Sequence, residues 1–374
     1  MSIPIKIYLS PPHLGSNEER YVLQAFETNW IAPLGPNVNL FEDKIGDFYN
    51  NKLHCAVLSS GTAAIHLALK LLGVTHGDDV LCQSFTFAAS ANPITYLGAN
   101  PIFIDSEEET WNISPELLED AIEDGIKKGK KAKAIVAVDL YGMPFKVEEI
   151  TAISQKYNIP LIEDSAEALG SHFKNTKCGS FGEIGILSFN GNKIITTSGG
   201  GALLAKDKNL VQKAIHLATQ ARDQAPHYQH SEIGHNYRMS NVLAGIGAGQ
   251  MEVLEKRVHA RRRNFEFYKD ALKSISSISF VDEPEGYFSN RWLTCLLTDS
   301  FETREKIRTN LLNKGIESRP LWKPMHMQPV FSKNQKYVNG VSEDLFNRGL
   351  CLPSGSSLEE EQLVNIVNLI KKTI

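Results

Sequence analysis

Residues 161–205 read LIEDSAEALGSHFKNTKCGSFGEIGILSFNGNKIITTSGGGALLA, and this stretch decides the fold. A short apolar run, Leu161 and Ile162, ends in two acids, Glu163 and Asp164. A glycine-punctuated segment follows, and a second apolar run then delivers Ser188 and Lys193 into a glycine-rich turn. Strands buried on both faces read as short apolar runs, and open α/β sheets bind ligands beyond the carboxyl ends of their strands. A carboxylate and an amine presented at two strand ends suit a heterocyclic cofactor, gripped at a ring nitrogen on one side and covalently on the other. A lone lysine in a loop is more often a surface group. What singles out Lys193 is its otherwise uncharged setting, GNKIITTSGGG.

Toward the amino terminus, Cys55–Leu58 reads as a strand that passes through Ser59, Ser60, Gly61 and Thr62 into the helical run AAIHLALKLLG. A helix amino terminus built from small residues exposes free N–H groups to an anion, and Ser60 and Thr62 add hydroxyl donors. Neither GxGxxG nor GxxxxGK[ST] is present, so a single phosphate monoester fits better than a dinucleotide or a nucleoside triphosphate, with a plain helix cap as the competing account. The next unit carries Phe85 and Phe87 at a strand end; core packing accounts for one, and the other can cover the face of a flat ring. Further strands at 100–105 and 134–139 alternate with helices at 114–123 and 148–157, which predicts a mostly parallel sheet covered on both faces. Upstream of all these, Asn29 and Trp30 fall in the irregular stretch TNWIAPLGP, either packed on the surface or touching a ligand.

Beyond Ala205 a helix is expected over 209–221, followed by a polar loop with His227, His230 and His235. No cysteine or carboxylate arrangement accompanies these histidines, so no metal site is assigned. Asn236, Tyr237 and Arg238 precede a helix of small residues suited to close packing. From Met251 to Leu272 the pattern is a long charged amphipathic helix, with Arg261, Arg262 and Arg263 read as its wet face. The expected domains are therefore 1–250, large, and 251–374, smaller and α+β. In the second, RPLWKPMH places Arg319, Trp322, Lys323 and His326 in one proline-stiffened loop, a plausible grip for a carboxylate or a phosphorylated sugar.

The whole-chain composition narrows the classes further. The chain has 374 residues, 42% hydrophobic and 22% charged, with a formal charge of −4. That length supports two cored domains, and the mildly acidic balance leaves no footprint for nucleic acid. The basic run 127–133 has no aromatic platforms beside it and reads as a solvated helix end. Five scattered cysteines, none in CxxC spacing, argue for a reducing compartment. With no leader pattern in MSIPIKIYLSPP and no transmembrane-length stretch, a cytoplasmic protein without membrane insertion is expected.

A phosphate turn at Ser60, Gly61 and Thr62, a ring face at Phe87, a ring-nitrogen partner at Asp164, a hydroxyl at Ser188 and an amine at Lys193 form the inventory pyridoxal phosphate requires. A carboxylate beside the pyridine nitrogen favours its protonated form and makes the ring an electron sink. The motifs SSGTAAIHLAL, SFTFAASANPI, LIEDSAEALGS, SFNGNKIITTSGGG, HNYRMSNVLAGIGAGQMEVLE, RPLWKPMH and GLCLPSG, in this order, resemble the DegT/DnrJ/EryC1/StrS family of sugar aminotransferases. Within it the wording AEALG and NGNKIITTSGGG is most similar to transaminases that make UDP-N-acetylbacillosamine precursors.

The resemblance implies the fold type I architecture, an α/β fold with a mostly parallel seven-stranded sheet in the large domain and a smaller C-terminal domain. It implies that pyridoxal phosphate is covalently bound to Lys193, with pyridoxamine phosphate as intermediate. It also places Glu167 near the ring hydroxyl, where the wider family often has His or Gln. Asn236 would be lent to the cofactor phosphate by a neighbouring subunit, which implies a homodimer. Arg238, Arg319, His326 and the Asn29–Trp30 loop would line the sugar side, with Trp322 in the same loop as Arg319. The implied reaction, part of polysaccharide and glycan biosynthesis, moves an amino group from L-glutamate to C4 of a UDP-linked 4-keto-6-deoxy-N-acetylhexosamine. Two alternatives stay open: another nucleotide-linked keto sugar, dTDP-linked or 3-keto, or a cofactor-binding regulator without turnover.

Overall fold

The structure is a computed structural model that describes residues 4–374. Its large sheet runs, in spatial order, His54–Leu58, Gly201–Ala205, Ile184–Ser188, Leu161–Asp164, Ala134–Val138, Asp79–Gln83, Asn100–Ile104 and Lys336–Tyr337. Only Gly201–Ala205 runs antiparallel to its neighbours. The apolar runs are continuous because successive side chains enter opposite cores. Val80, Cys82, Ala134, Val136 and Ile162 pack on one face, with residues of helices Gly61–Leu71, Ala88–Tyr96 and Lys208–Ala218. Leu81, Ile135, Ala137 and Leu161 pack on the other, with residues of Pro115–Lys127 and Val147–Tyr157.

Seven of these strands match the expected sheet; the eighth, Lys336–Tyr337, is an added edge. It is docked by the buried Asp105, whose carboxylate accepts from the backbone N–H groups of Asn339, Gly340 and Ser342 at 3.0–3.1 Å. A two-residue strand held by a carboxylate has no hydrophobic period to reveal it.

The small-residue helix Asn241–Met251 packs within the chain: a Cβ at Gly247 would lie 2.5 Å from the Phe41 ring, and one at Gly249 would lie 2.8 Å from the Glu18 backbone. Helix Leu254–Leu272 follows, then an antiparallel sheet ordered Ile278–Phe280, Thr294–Thr298, Gly349–Leu352, Arg319–Pro320. One expectation fails here. Arg261 is not on the wet face of that helix but 1% exposed, in the buried stripe with Leu254, Arg257, Val258, Phe265, Tyr268 and Leu272. The stripe dictates the face, and the arginine is buried with it. Arg262 is half-buried and Arg263 exposed. Among the described residues no helix is long and apolar enough to cross a membrane.

Candidate active site

The carboxyl ends of the parallel strands, together with the start of the antiparallel strand at Gly201, meet around a cavity of about 480 Å³. Ser60, Gly61, Thr62, Phe87, Asp164, Glu167, Ser188 and Lys193 all line it, joined by Ser90, Asn192, Trp292 and Trp322.

At one end helix Gly61–Leu71 begins. Ser60 is its N-cap, its Oγ accepting from the Ala63 N–H at 3.0 Å. Capping does not exclude an anion at this helix start, because the hydroxyl keeps its own proton to donate. Gly61 sits at a close approach: a Cβ there would lie 3.2 Å from Ser188 Cβ, so that neighbour would have to give way slightly.

Asp164 closes the opposite wall. Its Oδ2 accepts from Ser90 Oγ at 2.6 Å and its Oδ1 from the Ala166 N–H at 3.2 Å. Thr86 Oγ1 lies 2.8 Å from Ser90 Oγ and extends the chain. Burial raises the Asp164 pKa, while the Ser90 hydrogen bond, the charge of Lys193 and the Ala166 N–H oppose it. Among the described ion pairs Asp164 has no partner. A buried acid without a cation in bonding range fits a ring N–H⁺ arriving from outside the chain.

Lys193 is held between two groups. Its Nζ is 3.2 Å from Glu167 Oε1 and 4.2 Å from the centroid of the Trp292 ring. Glu167 is buried, and its Oε2 accepts from the Tyr141 N–H at 2.8 Å. Burial raises the Glu167 pKa, opposed first by the charge of Lys193 and then by the Tyr141 hydrogen bond. Phe87 is half exposed at the mouth of the cavity with its ring 5.3 Å from Trp322, whereas Phe85 is fully buried in the core.

The residues expected on the sugar side are more scattered. Arg238 is turned inward, its Nη1 2.5 Å from Glu42 Oε1 and 2.9 Å from Val57 O. His326 is buried between Ser84 Oγ at 2.7 Å and Glu343 Oε1 at 3.1 Å and does not line the cavity. Arg319 is exposed, paired with Glu317 at 2.6 Å, and lines an adjoining cavity of about 400 Å³ that shares Asn192, Trp292 and Trp322 with the first. Asn29, Trp30 and Asn236 lie outside both cavities, Asn236 accepting from Gln220 Nε2 at 3.1 Å.

Sequence reasoning does not single out two further members of the site. Ser90 lies in the first turn of helix Ala88–Tyr96, three residues after Phe87, a local signal that could have found it. Trp292 belongs to the distant small domain and has no local signal.

A buried group of two carboxyls and a thiol, Asp139, Glu163 and Cys178, offers metal-ligand atoms within 4.8 Å of one another. Glu163 already accepts from the N–H groups of Gly179, Phe181 and Gly182, so hydrogen bonding accounts for it.

Residues 12–371 match the DegT/DnrJ/EryC1/StrS aminotransferase family. The chain belongs to that family. It is a sugar aminotransferase that depends on pyridoxal phosphate. EpsN of Bacillus subtilis (strain 168), named provisionally as a pyridoxal phosphate-dependent aminotransferase, is 52% identical over 98% of this chain and 95% of its own. The GDP-perosamine synthase of Escherichia coli O157:H7 is 38% identical over 96% of each chain. The crystal structure of a family member from Brucella abortus superposes with a TM-score of 0.89 at 30% identity, covering 95% of this chain and 94% of that one. For this aminotransferase the cavity's contents fit the cofactor: a phosphate-accepting helix start, an unpaired buried acid and an amine face one space.

Proposed function

We propose that this aminotransferase moves the amino group of L-glutamate to C4 of a UDP-linked 4-keto-6-deoxy-N-acetylhexosamine, giving UDP-4-amino-4,6-dideoxy-N-acetyl-α-D-glucosamine and 2-oxoglutarate. The observation that carries the chemistry is the convergence of Asp164, Glu167 and Lys193 on one cavity behind the Ser60–Thr62 helix start. Pyridoxal phosphate, when bound, supplies the electron sink for exchanging an amino group and a proton at carbon. Gly61, Thr62 and Ser188 take its phosphate, Phe87 covers a ring face, and Asp164 holds the ring nitrogen protonated.

Lys193 would anchor the cofactor covalently and, once released, its Nζ would move the proton between the amino-bearing carbon of donor or sugar and cofactor C4'. Glu167, 3.2 Å from that Nζ, keeps the amine directed into the cavity when it is free. The choice of sugar rests on the resemblance of the AEALG and NGNKIITTSGGG segments to the bacillosamine branch.

A homodimer is part of this reading. Asn236 lies outside the cavity of its own chain, and Tyr228 and Ile233 on the same loop are 80% and 81% exposed, a surface suited to a second copy. Arg319 and the Asn29–Trp30 loop, exposed in the single chain, are assigned to the sugar side of the dimer.

One other reading has a specific observation behind it: the relative named GDP-perosamine synthase matches 96% of this chain at 38% identity, which favours a GDP-linked 4-keto sugar as the competitor.

The test is an assay of the purified holoenzyme with glutamate and a panel of UDP-, GDP- and dTDP-linked keto sugars, the amino product identified by mass and NMR. Borohydride should trap the cofactor on Lys193, and glutamate should shift the visible band. Product from the GDP sugar alone would replace the UDP assignment; no band shift in cofactor-loaded protein would sink the transfer reading.

A further inference from the structure

Arg261 is a guanidinium with no carboxylate in reach among the described residues. It is 1% exposed, and its hydrogen bonds go to the Trp292 carbonyl (2.6 Å, Nη1) and to Ser10 Oγ (2.9 Å, Nη2), while Nε has no partner. The nearest charge of note is repulsive, Arg257 one turn earlier on the same helix; burial, and then that charge, lower the Arg261 pKa to about 9. Removing a charge from water without an opposite charge is costly, so the fold sustains a penalty here that an apolar side chain would avoid.

What the penalty secures can be followed atom by atom. A guanidinium only donates, so Ser10 Oγ accepts from Arg261 and its single proton is directed onward, to the Asn192 carbonyl at 2.6 Å. The same carbonyl accepts from Trp292 Nε1 at 2.7 Å. Arg261 therefore grips both residues that grip Asn192. Asn192 immediately precedes Lys193, whose Nζ stands 4.2 Å over the centroid of the Trp292 ring. The amino-terminal strap that carries Ser10 is fixed next to this point by Arg257, which donates to the carbonyls of His13 and Leu14.

We infer that Ser10, Arg261 and Trp292 form a clamp on the Asn192 carbonyl that sets the pose of Lys193. They are positioning residues for its proton transfer, assembled from the chain's amino-terminal strap and the beginning of the small domain. The inference rests on the reading of Lys193 as the cofactor's anchor. It ties the geometry of the amine to the docking of the strap, so a change in either is felt at the other.

The holoenzymes of wild type, Ser10→Ala, Ser10→Thr and Trp292→Phe are compared. Ser10→Ala breaks the path from Arg261; Trp292→Phe keeps a ring under the amine and removes the donor. Each is expected to lower kcat about 10- to 100-fold, with KM for glutamate unchanged, and to move the pH at which the visible cofactor band changes. Ser10→Thr, which keeps the hydroxyl, restores both. An unchanged kcat and unchanged spectral midpoint in Ser10→Ala, with only Tm lowered, overturns the clamp and leaves Lys193 standing. Borohydride labelling of wild type at any residue other than Lys193 overturns the anchor assignment and the clamp with it.

Discussion

Replacing Asp164 with Asn should move stability and catalysis in opposite directions. In the apoprotein the carboxyl is 3% exposed and has no ion-pair partner among the described residues, and burial raises its pKa. The folded state therefore prefers the acid form. The stability this group gives is present below the ordinary Asp value, about 3.9, and is lost as pH rises through the folded value. At pH 7 the neutral amide avoids that loss. The local hydrogen bonds can survive the exchange: Oδ1 keeps the Ala166 N–H, now 3.2 Å away, and Nδ2 faces Ser90 Oγ, now 2.6 Å away. Ser90 then accepts and turns its proton to Thr86 Oγ1, 2.8 Å off. Apo Asp164→Asn is thus expected to melt above apo wild type, each kcal/mol being roughly 2–4 °C for a domain of 150–250 residues. With cofactor bound, the amide leaves a protonated ring nitrogen without its anion, and breaking such a buried pair costs about 3–5 kcal/mol. At 1.36 kcal/mol per decade this lowers kcat/KM roughly 10²- to 10⁴-fold. Calorimetry of the two apoproteins and steady-state kinetics of the two holoenzymes check the pair of signs. An apo variant no more stable than wild type, or a holo variant within tenfold of wild-type kcat/KM, would refute the placement of Asp164 at the ring nitrogen.

Gly61→Ala should weaken cofactor binding with little effect on the fold. The new methyl crowds Ser188 Cβ at 3.2 Å and pushes that hydroxyl from the phosphate position. Losing one hydrogen bond to a charged group costs about 1.5–3 kcal/mol, so Kd from a pyridoxal phosphate titration should rise roughly 10- to 150-fold. Asp139→Asn should flatten the pH dependence of Tm. Ser165 Oγ lies 2.6 Å from Asp139 Oδ2 and 3.0 Å from Glu163 Oε1, and one hydroxyl proton cannot serve both. Burial, and then the charge of Glu163, hold Asp139 well above the usual carboxyl range. Its stabilising contribution is complete below about pH 4 and falls by about 1.4 kcal/mol per pH unit above it. The advantage of the Asn variant over wild type should therefore widen in thermal melts as pH rises above that value, until it passes the raised folded value, and a constant difference would show Asp139 to be ionised in the folded protein.

The parts of the site legible in the sequence are those set by local chemistry. Asp164 and Ser188 each close an apolar strand, and Ser60 to Thr62 open a helix directly after one, so period and punctuation place them at the same edge. Arg238 shows where this stops: a cation three residues before a helix looks ready for a substrate, yet its charge is taken by Glu42, 196 positions earlier in the chain. His326 is similarly held by Ser84 and Glu343. No local pattern records such long-range partners.

Arg261 is a different case, because its burial was readable. Leu254, Val258, Arg261, Phe265, Tyr268 and Leu272 follow one another at intervals of three and four, the spacing of a single helix face. Residue type argued for solvent and period argued for the core. The period prevailed because the face of a packed helix is decided by all its members together. A charge found on such a stripe has been kept there against its solvation, so its hydrogen bonds are the place to look for function. From Arg261 they lead through Ser10 and Trp292 to the carbonyl beside Lys193.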